Sequence, residues 1–187
     1  MIKSGVHEER LCALLILVDQ FVKGDGETKD KIFKFYLKNT RHINNWDLVD
    51  LSADKIVGFY LEDKPKDILL KLAKSKYLWE KRIAIVATFH FIKKGEPKYT
   101  LEIAKILIND NHDLIHKAVG WMLREMGKRC DEKILTDFLD QCASIMPRTM
   151  LRYAIERFPK TQRQKYLRKR PAKIKAWPLH GVLISEN

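Results

Sequence analysis

The segment KAVGWML, residues 117–123, has a pattern of small and large apolar residues that occurs three times in the chain. The same pattern appears in RLCALLIL at residues 10–17 and in RIAIVA at residues 82–87. Each copy lies in a longer stretch in which apolar residues recur at steps of three and four, which is the spacing of one face of an α-helix. The three copies therefore predict an all-α protein built from similar helical units.

The same spacing continues along nearly the whole chain, and clusters of Gly, Pro, Asn and Asp divide it into segments of ordinary helix length. The period-two alternation of β-branched residues that is typical of strands is almost absent. The predicted helices span residues 7–23, 27–39, 45–61 with a break near Ser52, 66–75, 78–94, 98–110, 112–127, 131–144, 147–158 and 161–169.

Every second predicted helix begins near residue 7, 45, 78, 112 or 147. This recurrence is close to the ~34 to ~47 residues that separate the repeats of helical-hairpin solenoids. We therefore expect a curved α-solenoid of helical hairpin repeats, in which one layer of helices forms a concave face suited to an extended partner. An irregular helix bundle would give the same periodicity and is the alternative. Residues 1–170 would form the repeat domain, and residues 171–187 an irregular basic C-terminal tail.

Length and composition narrow the class of protein. With 187 residues, of which 45% are apolar, the chain can bury one core. Its longest apolar run, Leu11 to Val18, is shorter than the ~20 residues that cross a bilayer, and no signal-peptide pattern follows it. We therefore expect a cytoplasmic protein without a membrane partner, and a monomer.

Metal and cofactor chemistry have little support in the sequence. The three cysteines show no CxxC spacing, and nucleotide-binding loops, HExxH and GxSxG are absent. His112 and His116 have the i,i+4 spacing of a helical metal pair, but no third ligand obviously accompanies them. The sequence therefore predicts neither a metal nor a cofactor.

The net charge of +12 favours a polyanionic partner, with nucleic acid ahead of acidic membranes or proteins. From Lys160 onward there are eight Lys or Arg and one acid, Glu186, which gives +7 and leaves +5 for residues 1–159. Because the body of the protein is only mildly basic, the positions of its charges matter more than their total.

Aromatic and charged residues share a face on four of the helices that open the predicted hairpins. These are Trp46 with Asp50, Trp79 with Arg82, Trp121 with Lys117 and Arg124, and Arg148 with Arg152. Arginine binds phosphate as a fork, and an indole offers a π-face to a base or a sugar. The stripe therefore predicts a nucleic-acid groove. Under the alternative, the tryptophans fill the core and the arginines pair with Glu80, Glu125 or Glu156.

Asp50 is unexpected in such a groove, because a carboxylate repels phosphate. Breaking an N-glycosidic bond, however, builds positive charge on the sugar, and a fixed carboxylate stabilises a charge that develops only in the transition state. Flanking indoles such as Trp46 would add cation–π stabilisation and exclude water. The WDLVD segment, residues 46–50, is thus consistent with glycosidic-bond chemistry.

Three segments together resemble the DNA alkylation repair proteins of the AlkD type, which are alkylpurine DNA glycosylases built from HEAT-like repeats. They are WDLVD at 46–50, LWEKRIA at 78–84 and HKAVGWMLRE at 116–125, and the resemblance covers roughly residues 6–158. It implies a cofactor-independent hydrolase that removes N3- or N7-alkylated purines, such as 3-methyladenine and 7-methylguanine, from double-stranded DNA without flipping the base.

The resemblance also implies roles for single residues. Asp50 would be the catalytic carboxylate, Trp46 and Trp121 would pack around the deoxyribose of the lesion, and Arg82 and Arg124 would grip phosphates. Two other classes of function remain open from the residues alone. One is a non-catalytic HEAT-repeat binder of distorted or branched DNA, and the other is a scaffold for an acidic protein partner.

Overall fold

Periodic apolar residues become helices throughout the part of the chain that the structure describes. The computed structural model describes residues 1–168, in which short loops join the helices and no strand occurs. The helices are α1 (His7–Lys23), α2 (Gly26–Lys38), α3 (Trp46–Asp50), α4 (Asp67–Ala73), α5 (Leu78–Ala87), α6 (Phe89–Lys93), α7 (Lys98–Leu107), α8 (Asp113–Arg129), α9 (Glu132–Cys142), α10 (Arg148–Ala154) and α11 (Lys160–Arg168). A 3-10 turn at Thr40–His42 and a π-helical turn at Asp54–Gly58 complete the described secondary structure.

The all-α prediction is confirmed, and the helix ends lie close to their predicted positions. The expected break near Ser52 occurs, since α3 ends at Asp50 and a π-helical turn follows at Asp54–Gly58. The predicted helix 78–94 is divided at Thr88, which was not expected. The Thr88 hydroxyl donates to the carbonyl oxygen of Ile85 at 2.6 Å, a side-chain bond that competes with regular helix geometry.

Side-chain caps set the start of the helix that carries Asp50. Asn45 is the N-cap of α3 and its side-chain oxygen accepts from the backbone N–H of Trp46 at 2.8 Å. Such a cap satisfies a backbone donor that has no partner within the helix. Because α3 begins at Trp46, Asp50 follows one turn later on the same face.

Helices α3, α5, α8 and α10 pack side by side in chain order, and we call this set the helix row. Helix α1 packs against α3 at one end of the row. Other helices pack against the row: α4 contacts α5 and α7, α7 contacts α8, and α9 contacts α8. This order agrees with stacked helical hairpins, and the HEAT-like curvature of the stack stays a prediction.

The centre of the row is also the centre of the core. In α5, the consecutive residues Ile83 to Ala87 are all fully buried. Burying each large aliphatic side chain contributes roughly 1.5–3 kcal/mol. A helix that is apolar on every side lies between neighbours on every side. The helix that carries Arg82 is therefore held firmly on both of its flanks.

Two glycines allow close contact between neighbouring helices. A Cβ at Gly120 of α8 would lie 2.5 Å from the carbonyl oxygen of Met150 and 2.5 Å from the Cβ of Tyr153, both in α10. A Cβ at Gly58 would collide with the carbonyl oxygen of Ala87. The absence of a side chain at these positions lets backbones approach each other directly. The spacing of α10 from α8 therefore depends on Gly120, and that of the π-helical turn from α5 depends on Gly58.

The predicted tail at residues 171–187, and the domain boundary placed at residue 170, lie outside the described residues. Within residues 1–168, no helix has the length and apolar character required to cross a membrane.

Candidate active site

Asp50 and Arg82 form a two-pronged ion pair between α3 and α5. The Nε of Arg82 donates to Oδ1 of Asp50 at 2.9 Å, and Nη2 donates to Oδ2 at 2.7 Å. The remaining arm, Nη1, donates to the carbonyl oxygen of Leu114 in α8 at 2.6 Å. One guanidinium thus joins three successive helices of the row and fixes the plane of the carboxylate.

Burial affects the pKa of Asp50 more strongly than the pairing with Arg82 does. The side chain of Arg82 is 6% exposed and that of Asp50 is 15% exposed. Burial raises the pKa of Asp50 above its ordinary value, against the hydrogen bonds and the positive charge of Arg82, which lower it. Asp50 therefore keeps one edge towards solvent, while Arg82 has little surface left for a phosphate.

Trp46 lies one turn before Asp50 and is open to a partner. Its indole is 53% exposed, an unusual amount for a large aromatic side chain. Trp79 and Trp121, in contrast, are partly buried and pack against the core. The ring centre of Trp121 lies 6.1 Å from that of Phe89 in α6. Of the three predicted tryptophans, Trp46 is the one with most of its surface available.

Lys117 lies on α8, three residues after Leu114, whose carbonyl oxygen accepts from Arg82. Its ammonium pairs with Asp113 at 2.7 Å, one turn earlier. The hydrogen bond to Asp113 raises the pKa of Lys117, and the positive charge of Arg82 acts in the opposite direction. Because Arg82 reaches the carbonyl oxygen of Leu114, both Lys117 and the Arg82 guanidinium lie along the first half of α8.

The other predicted cations have different surroundings. Arg124 pairs with Glu156, and its Nε lies 3.6 Å from the buried Glu125. The Nη2 of Arg148 donates to the carbonyl oxygen of Leu167 in α11 at 2.7 Å. Arg152 is exposed on α10. The structure thus brings Asp50, Arg82 and Lys117 together, and it places Arg124, Arg148 and Arg152 further along α8 and on α10.

The histidines with metal-pair spacing are engaged by the backbone. The Nδ1 of His112 accepts from the N–H of Leu114 at 3.2 Å, which makes His112 the cap of α8. The Nε2 of His116 lies 2.5 Å from the carbonyl oxygen of Asp110. Among residues 1–168, no group of three or more His, Cys, Asp or Glu side chains has an arrangement that could hold a metal ion.

Comparison with models of known protein families identifies the family of this chain. The family model for the DNA alkylation repair enzyme matches residues 1–158, which include every predicted site residue. The chain belongs to the DNA alkylation repair enzyme family. No curated protein matched it. As a member of this family it is assigned to DNA repair, with DNA as its substrate.

In this DNA alkylation repair family member, the sequence offered Glu125 and Glu156 as partners of the arginines, which the structure shows for Arg124, but it missed the larger cluster of charges around Glu125. The buried carboxylate of Glu125 lies within 3.6 Å of guanidinium nitrogens of Arg124, Arg129 and Arg157, and we call these four residues the Glu125 cluster. The i,i+4 spacing of Glu125 and Arg129 was a usable signal. Arg157 lies 32 residues from Glu125, and no local spacing could have paired them.

Proposed function

We propose that the protein is a DNA glycosylase that hydrolyses the N-glycosidic bond of N3- or N7-alkylated purines in duplex DNA. The observation that carries the proposal is the fixed carboxylate of Asp50, held by Arg82 beside the exposed indole of Trp46. Membership of the DNA alkylation repair family supplies DNA as the substrate. The enzyme would act as a cytoplasmic monomer without a cofactor.

The proposed reaction begins with a base that already carries a positive charge. When the bond between C1′ and the alkylated nitrogen breaks, the bonding electrons neutralise the base, which leaves, and the sugar becomes an oxocarbenium ion. The Asp50 carboxylate stabilises that ion, and a water molecule adds to C1′ and loses a proton. The products are the free alkylpurine and an abasic site. Because the leaving base is cationic, no general acid is required.

The geometry around Asp50 suits this chemistry. A carboxylate has about four acceptor positions, and Arg82 occupies two of them, so the others remain for a sugar or a water molecule. Catalysis by electrostatic stabilisation is most effective when the charge is oriented before the reaction. Arg82, buried and bound to Asp50 and Leu114, orients this charge. We therefore propose that Arg82 positions the carboxylate, although the sequence predicted a phosphate contact.

The remaining predicted residues would form the surface that holds the duplex. Lys117 and Arg152 would contact phosphates, while Trp46 and Trp121 would lie against the deoxyribose and the lesion, which would stay in the base stack. A HEAT-like, curved arrangement of the helix row would let several helices reach one duplex.

A second candidate function has support from the same ion pair. Because the Asp50–Arg82 pair links α3 to α5, it also explains the carboxylate as a structural element. A non-catalytic binder of distorted or branched DNA would keep such a pair for its geometry alone.

Substitution of Asp50 by Asn separates the two candidates. Release of 7-methylguanine and 3-methyladenine from methylated duplex DNA is measured for the wild type and Asp50→Asn, and binding to the same duplex is followed in parallel. Asp110→Asn is the matched control, because Asp110 is also a buried carboxylate, paired with Lys81 at 2.6 Å. We expect Asp50→Asn to bind DNA and to lose excision, and Asp110→Asn to keep both.

The other possible outcomes of this experiment lead to different conclusions about the function. Binding without release by the wild type would establish the non-catalytic binder. Release by Asp50→Asn at the wild-type rate would refute the catalytic role of Asp50. Thermal melting of all three proteins distinguishes a lost carboxylate from a lost fold.

A further inference from the structure

Glu125 is a buried carboxylate that the proposed reaction does not use. It lies on α8 one turn after Trp121, and its side chain is 8% exposed. Removing a carboxylate from water costs several kcal/mol unless charged partners surround it. Glu125 therefore requires cationic neighbours, and the structure supplies more of them than neutralisation needs.

Three guanidinium groups converge on this carboxylate. Arg129 Nε lies 3.1 Å from Oε2, while Arg124 Nε and Arg157 Nη2 each lie 3.6 Å from Oε1. One arginine would balance the charge, so the Glu125 cluster has an excess of +2 within these four residues. Glu156, whose side chain is 58% exposed, also pairs with Arg124, so the excess is +1 when this acid is counted.

The excess charge borders an open cavity. A cavity of about 420 Å³ lies between α8, α9 and α10, and Arg124, Lys128 and Arg157 line it together with Asp131 and Glu132. The buried Nε of Arg124 has no hydrogen-bond partner within residues 1–168. Buried donors are normally satisfied, so an unsatisfied one beside a cavity points to an acceptor that binds there.

Aromatic contacts connect the cluster to Trp121, the indole that the proposed function places against the deoxyribose. The guanidinium carbon of Arg129 lies 5.2 Å from the centre of the Phe89 ring, and Phe89 in turn lies beside Trp121. A duplex that lies against Trp121, as the proposed function requires, would therefore lie close to the cluster. Its backbone is long, anionic and regularly charged, which suits the excess positive charge of the cluster.

We propose that the Glu125 cluster binds the phosphodiester backbone of the DNA duplex that flanks the lesion, and that Glu125 positions its arginines. The proposal rests on the proposed function, because it takes duplex DNA as the ligand. Arginine forks match phosphate oxygens in a two-pronged geometry, and a buried carboxylate that holds one edge of each guanidinium turns the other edge outward. Glu125 acts through the arginines and does not touch the DNA.

The positioning role of Glu125 is tested by whether one substitution raises or lowers the affinity for DNA. Removing a negative charge next to DNA should strengthen binding by simple electrostatics. If Glu125 positions the arginines, Glu125→Gln should weaken binding instead, because the guanidiniums lose their common anchor. We expect the affinity for an undamaged duplex, measured by fluorescence anisotropy, to fall several-fold in the full-length protein.

Two exposed members of the cluster test the phosphate contacts. For Arg157→Gln and Arg129→Gln, we expect the slope of log affinity against log salt to become shallower by about one, the effect of one lost phosphate contact. Lys31→Gln is the matched control, since Lys31 is an exposed cation on α2 with an acidic partner one turn earlier. Its slope should equal that of the wild type.

The outcomes separate failure of the cluster from failure of the proposed function. If the wild type binds DNA, and Glu125→Gln binds equally or more tightly while both arginine variants keep the wild-type slope, the cluster is only structural. If the wild type does not bind duplex DNA, both proposals are wrong. If Glu125→Gln does not fold, the slopes of Arg157→Gln and Arg129→Gln decide, because both side chains lie at the surface.

Discussion

The ion pair with Arg82 distinguishes Asp50 from an ordinary surface aspartate. An exposed aspartate next to DNA would be a repulsive charge, whereas Asp50 is oriented by Arg82 and largely removed from water. Because burial raises its pKa, proton uptake by Asp50 favours the folded state at acidic pH, and this contribution is lost as the pH rises through the folded-state pKa. Keeping the group ionised at neutral pH therefore works against stability, which is common at functional sites.

The raised pKa of Asp50 leads to a prediction about the pH profile of excision. The carboxylate is the active form, so the acidic limb of kcat/KM should lie above 3.8, the ordinary value for aspartate. Arg82→Gln removes the cation that lowers the pKa of Asp50, so the limb should move to higher pH in this variant. Excision rates of the wild type and of Arg82→Gln, measured between pH 4 and pH 8, give the position of the acidic limb in each protein.

An acidic limb at the same pH in Arg82→Gln and in the wild type would contradict this account. Because an unpaired buried carboxylate costs about 3–5 kcal/mol, the variant must be shown to remain folded at each pH.

The sequence allowed the prediction of Asp50 and Trp46 as a pair, because four residues separate them on one helix. It could not give the role of Arg82, which depends on a partner 32 residues away. Spacing within one helix places two side chains on the same face, but it contains no information about which helix packs opposite. The same limit hid the contact between Arg157 and Glu125.

At the scale of elements, the backbone contact between α8 and α10 should be sensitive to any side chain added at Gly120. In Gly120→Ala the new methyl group would meet a carbonyl oxygen and a Cβ, neither of which can rotate away. We expect a loss of about 1–3 kcal/mol of stability, the usual cost of overpacking. For a domain of this size that corresponds to a fall in Tm of roughly 2–12 °C.

Gly26→Ala is the control for this measurement, because no heavy atom lies within 4 Å of the added methyl group. Its Tm should stay the same or rise, since alanine favours a helix more than glycine does. Equal melting temperatures for Gly120→Ala and the wild type would show that α10 can shift away from α8 at no cost.

Helix positions were predictable, because apolar spacing and turn residues are local signals. The break near Ser52 was predicted, whereas the interruption at Thr88 was not, and it coincides with a bond from the Thr88 hydroxyl to the backbone. Threonine forms such bonds in many helices without interrupting them, so its presence in the sequence was not a sufficient signal.

For the whole molecule, charge is unevenly distributed between body and tail. Residues 169–187 contain four Lys or Arg and one Glu, a net charge of +3. Deleting them should lower the affinity for undamaged duplex and reduce its salt slope by at most about three. The kcat for excision at saturating DNA should not change, because the family match and all candidate site residues lie within residues 1–158.

Single-turnover excision and anisotropy at several salt concentrations measure the two effects separately. A fall in kcat with unchanged affinity would mean that the last 19 residues take part in catalysis and not in general attraction to DNA.

The order of the helices, and membership of the family through three short segments, could also be predicted from the sequence. The curvature that the sequence predicts for the stack stays a prediction, because it depends on small rotations between neighbouring helices that no residue pattern encodes directly.

The glycine contacts at Gly58 and Gly120 have a consequence for how damage would be found. They bring neighbouring backbones into direct contact, so the helix row has little room to reshape itself around a bound duplex. If the row is the DNA-binding surface, most of the bending must then occur in the DNA. The energy of that bending depends on base stacking and local stiffness, so duplex segments that distort easily would bind best. Lesion search would become a mechanical test of the duplex, in which weakened stacking is detected before any chemistry begins.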